Sequence, residues 1–287
     1  MLRLFVLTFA LTTLVAGALD ARTLRWAGRG DPQTTDPHSQ NENLTNNINI
    51  LTYEPLLYRN KTLGIEPGLA TSWEQLGPLT WRFHLRPGVK FHDGTPFTAD
   101  DVVFSFERAR APTSQLRVYA NASGIPKKVD DLTVDFITTG PNPIELEHVL
   151  LINIMSRAWC EKNRATKPQN FTDKEDMITA HQANGTGPYI LVSRQPDIKT
   201  VLTKNPNWWG IQAGWFEGNA DEVIYLPIVS DATRGAALVS GEVDIINEPP
   251  QQDVPRLKPD PHITILERSE NRIVVISLDP VDDKQIY

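Results

Sequence analysis

The chain has 287 residues, 40% of them hydrophobic and 22% charged, with a formal net charge of −7. That length and apolar content suffice for a core without cross-links, and the single cysteine, Cys160, excludes an internal disulfide partner. No cluster of Lys and Arg interrupts the acidic balance, which argues against nucleic acid or an anionic membrane face as a partner.

Residues 1–18 carry one early cation, Arg3, then an apolar run from Leu4 to Ala16 and the small-x-small site Ala16-Gly17-Ala18. This is the pattern of a signal peptide, cut after Ala18 or as far on as Ala21, and the run is too short for a comfortable membrane span. Residues 23–28 (TLRWAG) read as a first strand that enters the polar, turn-rich stretch 29–41. Residues 43–57 read as a helix with Leu44, Ile48, Leu51 and Leu56 toward one face. Strict alternation over 79–86 puts Trp81, Phe83 and Leu85 on one side of a strand and Arg82, His84 and Arg86 on the other. Pro87-Gly88 and Asp93-Gly94 are turn dipeptides, so 79–97 reads as strand, tight turn and short strand.

Thr98 followed three residues on by Asp101 predicts the capped start of a helix over 99–110, burying Val102, Val103 and Phe106 and ending before Pro112. Residues 132–138 alternate as a strand, and 144–154 suggest a helix. After the loop GTGPY (185–189), strands are expected at 189–194, 198–204, 222–228, 244–247, 263–267 and 272–278. One helix interrupts them at 231–241, with Asp231 as N-cap and Gly241 as stop. The mixture of short strands and modest helices predicts an α/β protein.

Reaction chemistry finds little support. His84, His92 and Asp93 could be read as metal ligands, but a strand face and a His-Asp-Gly turn explain them more simply. No HExxH, CxxC or GxSxG occurs, and Gly185-Thr-Gly lacks the ending and setting of a phosphate loop; it reads as a bend. Cys160 reads as a small buried hydrophobe. A secreted α/β hydrolase remains the rival from another class, and it requires a nucleophile, a base and an orienting group together.

Six stretches in order resemble the bacterial extracellular solute-binding proteins of family 5, the dipeptide and oligopeptide receptors of ABC importers. They are LTYEPLLYR (51–59), IEPGLATSWE (65–74), LTWRFHLRPGVKFHDGTPFTADDVVFSFERA (79–109), GTGPYIL (185–191), LTKNPNWWG (202–210) and DEVIYLPIVSDATRGAALVSGEVDI (221–245). The resemblance implies a type II-like periplasmic binding protein. Residues 22–45 and 186–270 would form a discontinuous first lobe and 46–185 an extra subdomain. Residues 271–287 would begin the crossover to a second lobe absent from the chain, so a truncated receptor with impaired binding is expected.

By the same likeness the protein is a monomeric, periplasmic, exported binding component without cofactor or catalysis. It would deliver a small solute, peptide first, to an inner-membrane ABC permease; nickel chelate, haem and oligosaccharide are the alternative ligands. Trp208 and Trp209 would pack rather than stack on ligand. The ligand-facing segment is expected in 29–36, because ligands of open α/β sheets gather at strand-end loops. Its candidate contact residues are Gly30, Asp31, Gln33, Thr34 and Thr35, acting largely through backbone groups.

Overall fold

A computed structural model describes residues 22–215 and 219–267. The expected leader over 1–18 and the expected strand 272–278 lie outside them. Two units are distinguished, residues 1–248 and residues 249–287.

In the larger unit, β1 (Thr23–Gly28) is the expected first strand, and the chain after it reaches α1 (Asn43–Asn49). This helix is capped by Glu42, whose carboxylate accepts from the backbone N–H groups of Leu44 and Thr45. It is shorter than the 43–57 pattern predicts. The carbonyls of Leu51 and Thr52 accept instead from the N–H groups of Tyr189 and Gly187, both at 2.9 Å, so the helical ladder stops. A Cβ at Gly185 would stand 2.0 Å from the Thr52 carbonyl oxygen, which explains the bend at GTG.

Short strands β2 (Leu57–Arg59) and β3 (Ile65–Pro67) pair with each other, and β4 (Ala70–Gly77) leads into β5 (Thr80–Leu85). The only pairing over the expected short strand after Pro87-Gly88 is an isolated bridge between Lys90 and Pro96. Helix α2 (Ala99–Ala109) begins at Thr98, whose backbone N–H donates to the Asp101 carboxylate at 2.9 Å. Next come α3 (Arg117–Ala122), β6 (Ile125–Asp130) and β7 (Thr133–Ile137). Strands β4-β5-β7-β6 form an antiparallel sheet. On its inner face Phe136 meets both Phe83 and, from α2, Phe106 edge-to-face, with ring centroids 5.3 Å and 4.6 Å away. The outer face is polar, and Arg82 grips its cross-strand partner Asp135 at 2.7 and 2.8 Å.

Helix α4 (Glu145–Val149) covers only the start of the predicted 144–154. Ile152 and Ile154 are buried in extended chain, because the N–H of Ile154 donates to Glu54 and Asn153 bridges Pro55. Helix α5 (Arg157–Lys162) carries Cys160, which is buried with its thiol pushed up to about 12, chiefly by burial.

The second large sheet is mixed, in the order β11-β1-β10-β9-β8, with β8 (Tyr189–Gln195), β9 (Lys199–Lys204), β10 (Glu222–Pro227) and β11 (Ile245–Ile246). Strand β1 lies parallel to both β10 and β11, in register from Thr23 opposite Glu222 to Gly28 opposite Pro227. Helix α6 (Trp209–Gln212) precedes β10, and α7 (Asp231–Ser240) links β10 to β11 across β1. The N-cap of α7 is Ser230, not Asp231: the Ser230 hydroxyl accepts from the Thr233 N–H, and Asp231 is taken by arginines. The helix closes at Gly241, which is left-handed with φ 75°.

In the smaller unit the described residues hold one short helix, α8 (Val254–Leu257). The strand expected over 263–267 is not formed there. Alternation makes a strand only where a neighbouring edge offers a ladder, and among the described residues none pairs with these.

Candidate functional site

The carboxyl ends of the parallel strands β1 and β10 point the same way, and the loops after such strand ends are where open α/β sheets hold ligands. The exit from β1 is tightly seated. A Cβ on Gly28 would lie 2.2 Å from the Tyr225 hydroxyl oxygen, and that hydroxyl donates to the Gly30 carbonyl at 2.5 Å. Arg29 reaches Asp231 at the start of α7 at 3.1 Å. Asp231 also binds the buried Arg234, which in turn donates to the Ile228 carbonyl at 2.7 Å. These links fix the loops after both strands to one helix.

Beside this loop lies a cavity of about 660 Å³. Asp31, Pro32 and Gln33 form one wall, Gln169, Phe171 and His181 a second, and Arg194 with Asp197 at the tip of the β8–β9 hairpin a third. Arg194 donates to the Asp31 carboxylate at 2.7 Å and also to the carbonyls of Pro32 and Ala180. Both side chains are almost wholly buried. Burial pushes the Asp31 carboxyl upward, and the Arg194 charge partly offsets it.

The five expected contact residues divide at Thr34. Gly30, Asp31 and Gln33 stand at the strand end and along the cavity, Gln33 exposed with its N–H donating to the Thr45 hydroxyl at 2.8 Å. Thr34 and Thr35 are buried. The Thr34 hydroxyl donates to Gln169 Oε1 at 2.6 Å, and that of Thr35 to the Thr179 carbonyl at 2.7 Å. Sequence reasoning did not single out Arg194, His181 or Asp197. No local signal marks them, since only the packing of residues more than a hundred positions apart brings them to the loop.

Behind the loop, Asp36, His38 and Arg108 form a buried cluster. Arg108 uses all five N–H donors: two on the Asp36 carboxylate (2.8 and 2.6 Å), one on His38 Nδ1 (3.1 Å), and one each on the Ala165 and Lys167 carbonyls. Asp36 further accepts from the N–H groups of His38 and Gln169 and from the Thr179 hydroxyl, each at 3.0 Å. Arg108 holds the Asp36 carboxyl down at about 2 against the effect of burial. His38 Nε2 lies 2.9 Å from the Asn153 carbonyl, so it carries the proton, and Nδ1 accepts from Arg108. Burial, then the Arg108 charge, lower the imidazole to about 4.

The other candidates have structural partners. His84 lies on the polar sheet face, 3.4 Å from Glu74. His92 Nε2 meets the Gly187 carbonyl at 3.0 Å, and Asp93 accepts from Thr95 and Asn184, docking this turn on the GTG bend. The indole N–H groups of Trp208 and Trp209 both donate to the buried Glu54 at 3.0 Å, and the Arg86 guanidinium lies 3.9 Å over the Trp209 ring. Among the described residues, no group of three or more His, Cys, Asp or Glu is placed to hold a metal ion, and no helix is long and apolar enough to cross a membrane.

The family of bacterial extracellular solute-binding proteins, family 5 Middle, matches residues 64–283. The chain belongs to this family. The dipeptide-binding protein of Escherichia coli K12 is similar at 28% identity, over 100% of this chain and 56% of that protein. Heme-binding protein A of Haemophilus influenzae is 30% identical over 77% of this chain and 42% of its own length. Among solved structures, the periplasmic binding protein DppA of Helicobacter pylori in complex with peptide STSA has 27% identity and a TM-score of 0.70, covering 83% of this chain and 49% of that one. The family 5 chain thus spans about half the length of the curated relatives it matches, and its fold is part of a type II periplasmic binding protein. The family binds solutes; it is not defined by a reaction.

Proposed function

We propose that the family 5 chain is an exported, periplasmic, monomeric ligand-capturing component of an ABC importer, taking up peptides or a similar small solute for an inner-membrane permease. The observation that carries this reading is the loop 29–33 at the carboxyl end of the central parallel strand β1, with an open cavity beside it. Family membership and the peptide-binding relatives support it. The five-stranded sheet is then the core of the first lobe (22–45 and 186–270), and 46–185 is the subdomain that braces the ligand loop. Contacts come from Gly30, Asp31 and Gln33, while Thr34 and Thr35 act by holding the loop in place.

The grip of these 287 residues on peptide should be weak. A micromolar ligand needs about −8 kcal/mol, and the Asp31 and Arg194 side chains beside the loop are bound to each other, with Asp31 Oδ1 and Arg194 Nε the buried atoms of that pair left without partners among the described residues. Amide NMR of the 15N-labelled chain, titrated with mixed di- and tripeptides into the millimolar range, tests the reading. Shifts concentrated at Gly30, Asp31 and Gln33 are expected. No shift there with peptides, but saturable shifts with haem, a nickel chelate or an oligosaccharide, would replace the ligand class; no shift with any of them would overturn the site.

A further inference from the structure

None of Asp36, His38 and Arg108 lines the cavity, yet the cluster they form is built at considerable expense. Both ions of the pair are fully buried, and desolvating such a pair offsets much of its mutual attraction, so apolar side chains of similar volume would serve stability as well. A fixed geometry is what an apolar replacement would lose. The cluster gathers residues that are distant in sequence: 36 and 38 from the loop after β1, 108 from α2, the carbonyls of 165 and 167, and the N–H of 169 and hydroxyl of 179.

Two of these segments run on directly into the cavity walls. Asp36 is five residues from Asp31, and Thr34 and Thr35 between them are hydrogen-bonded to Gln169 and Thr179. Gln169 lines the cavity itself, and Thr179 precedes Ala180 and His181, which also line it. The cluster therefore sets the distance between the loop wall and the 169–181 wall. Only an arginine supplies it, because five donors are required in one plane and lysine has three on a single nitrogen.

We infer that Arg108, through Asp36, is a positioning residue for ligand capture, holding both walls of the cavity at their spacing without touching the ligand. The ligand part of this inference rests on the function proposed above; the loop part does not. The variants are R108K and, in case R108K fails to fold, T179A, which removes a single donor to Asp36. K128A, breaking the exposed pair between Lys128 and Asp100 of the same helix, is the control.

Amide spectra without ligand come first. Gly30, Asp31 and Gln33 should shift or broaden in R108K and T179A and stay in place in K128A, while amides of β4 and β5 are unchanged in all three. Peptide titrations at a temperature where each variant is fully folded should then show about tenfold weaker binding in R108K and a smaller loss in T179A. A folded R108K and T179A with wild-type loop amides would overturn the inference. So would disturbed loop amides with unchanged peptide affinity. If the wild-type chain shows no peptide shifts, the proposed function fails, and the ligand-free spectra still decide whether Arg108 positions the loop.

Discussion

His38 and Glu145 show how burial writes opposite pH responses into single side chains. The folded imidazole sits at about 4 against an ordinary 6.5, with the Arg108 guanidinium and Asp36 carboxylate facing it and Cys160 and Tyr53 in the same cluster. The unfolded chain therefore takes up the proton first. His38 contributes stability above pH 6.5 that is lost as pH falls toward 4, about 3 kcal/mol for this shift. Glu145 is raised to about 7 by burial, with Asn142 donating to its carboxylate and, among the described residues, no partner for Oε1. Its contribution has the reverse sign: present below pH 4.5 and lost as pH rises through 7, at most about 3 kcal/mol. Urea unfolding across pH 4 to 8 checks both. H38Q should lack the acid-side loss seen in the wild type between pH 6.5 and 4, and E145Q should gain on the wild type as pH rises from 5 to 8. Parallel curves for wild type and variant would refute the corresponding assignment. Neither residue was legible in the sequence, because a histidine in DPHSQ and a glutamate in IELEH look like ordinary surface groups until the tertiary fold closes over them.

Among the elements, those specified by contacts a few residues apart were the most legible. Strand β1, the Thr98–Asp101 start of α2 and the Gly241 stop of α7 all lie where caps, alternation and turn residues place them. Errors fall where a distant partner competes for the backbone. Helix α1 ends early because Gly187 and Tyr189 take the Leu51 and Thr52 carbonyls, and α4 ends early because Ile154 pairs with Glu54. The cap of α7 moves by one residue because Asp231 is drawn to Arg29 and Arg234, leaving Ser230 to accept from Thr233. S230A should therefore cost about 1 kcal/mol of stability, read as a lowered denaturant midpoint with unchanged slope, whereas D231N should chiefly loosen Arg29 and the loop after β1. Strands β2, β3, β4 and β6 were missed outright; the mostly exposed residues of β4 carry no alternation, and only its ladder with β5 makes it a strand.

At the scale of the molecule, the site depends on a strand made by the first described residues, which lies between two strands made about two hundred residues later. Strand β1 has no sheet until β10 and β11 exist, so their amides should open together. Native-state hydrogen exchange is expected to give Leu24 to Gly28 and Val223 to Leu226 one common opening free energy, distinct from that of β5 and β7 in the other sheet. Independent opening of β1 would show that the loop after it is anchored by its side-chain clusters alone. By itself the sequence determined the α/β class, the family and the positions of the strands and helices that rest on local pattern, because these depend on local pattern and on motifs carried in order along the chain. Tertiary structure alone decided which residues of 29–36 face the cavity, that Arg194 and the 169–181 segment complete it, and that Arg108 holds the loop from behind. The reason is that burial and hydrogen-bond partnership are properties of packing between distant segments, and no local pattern encodes them.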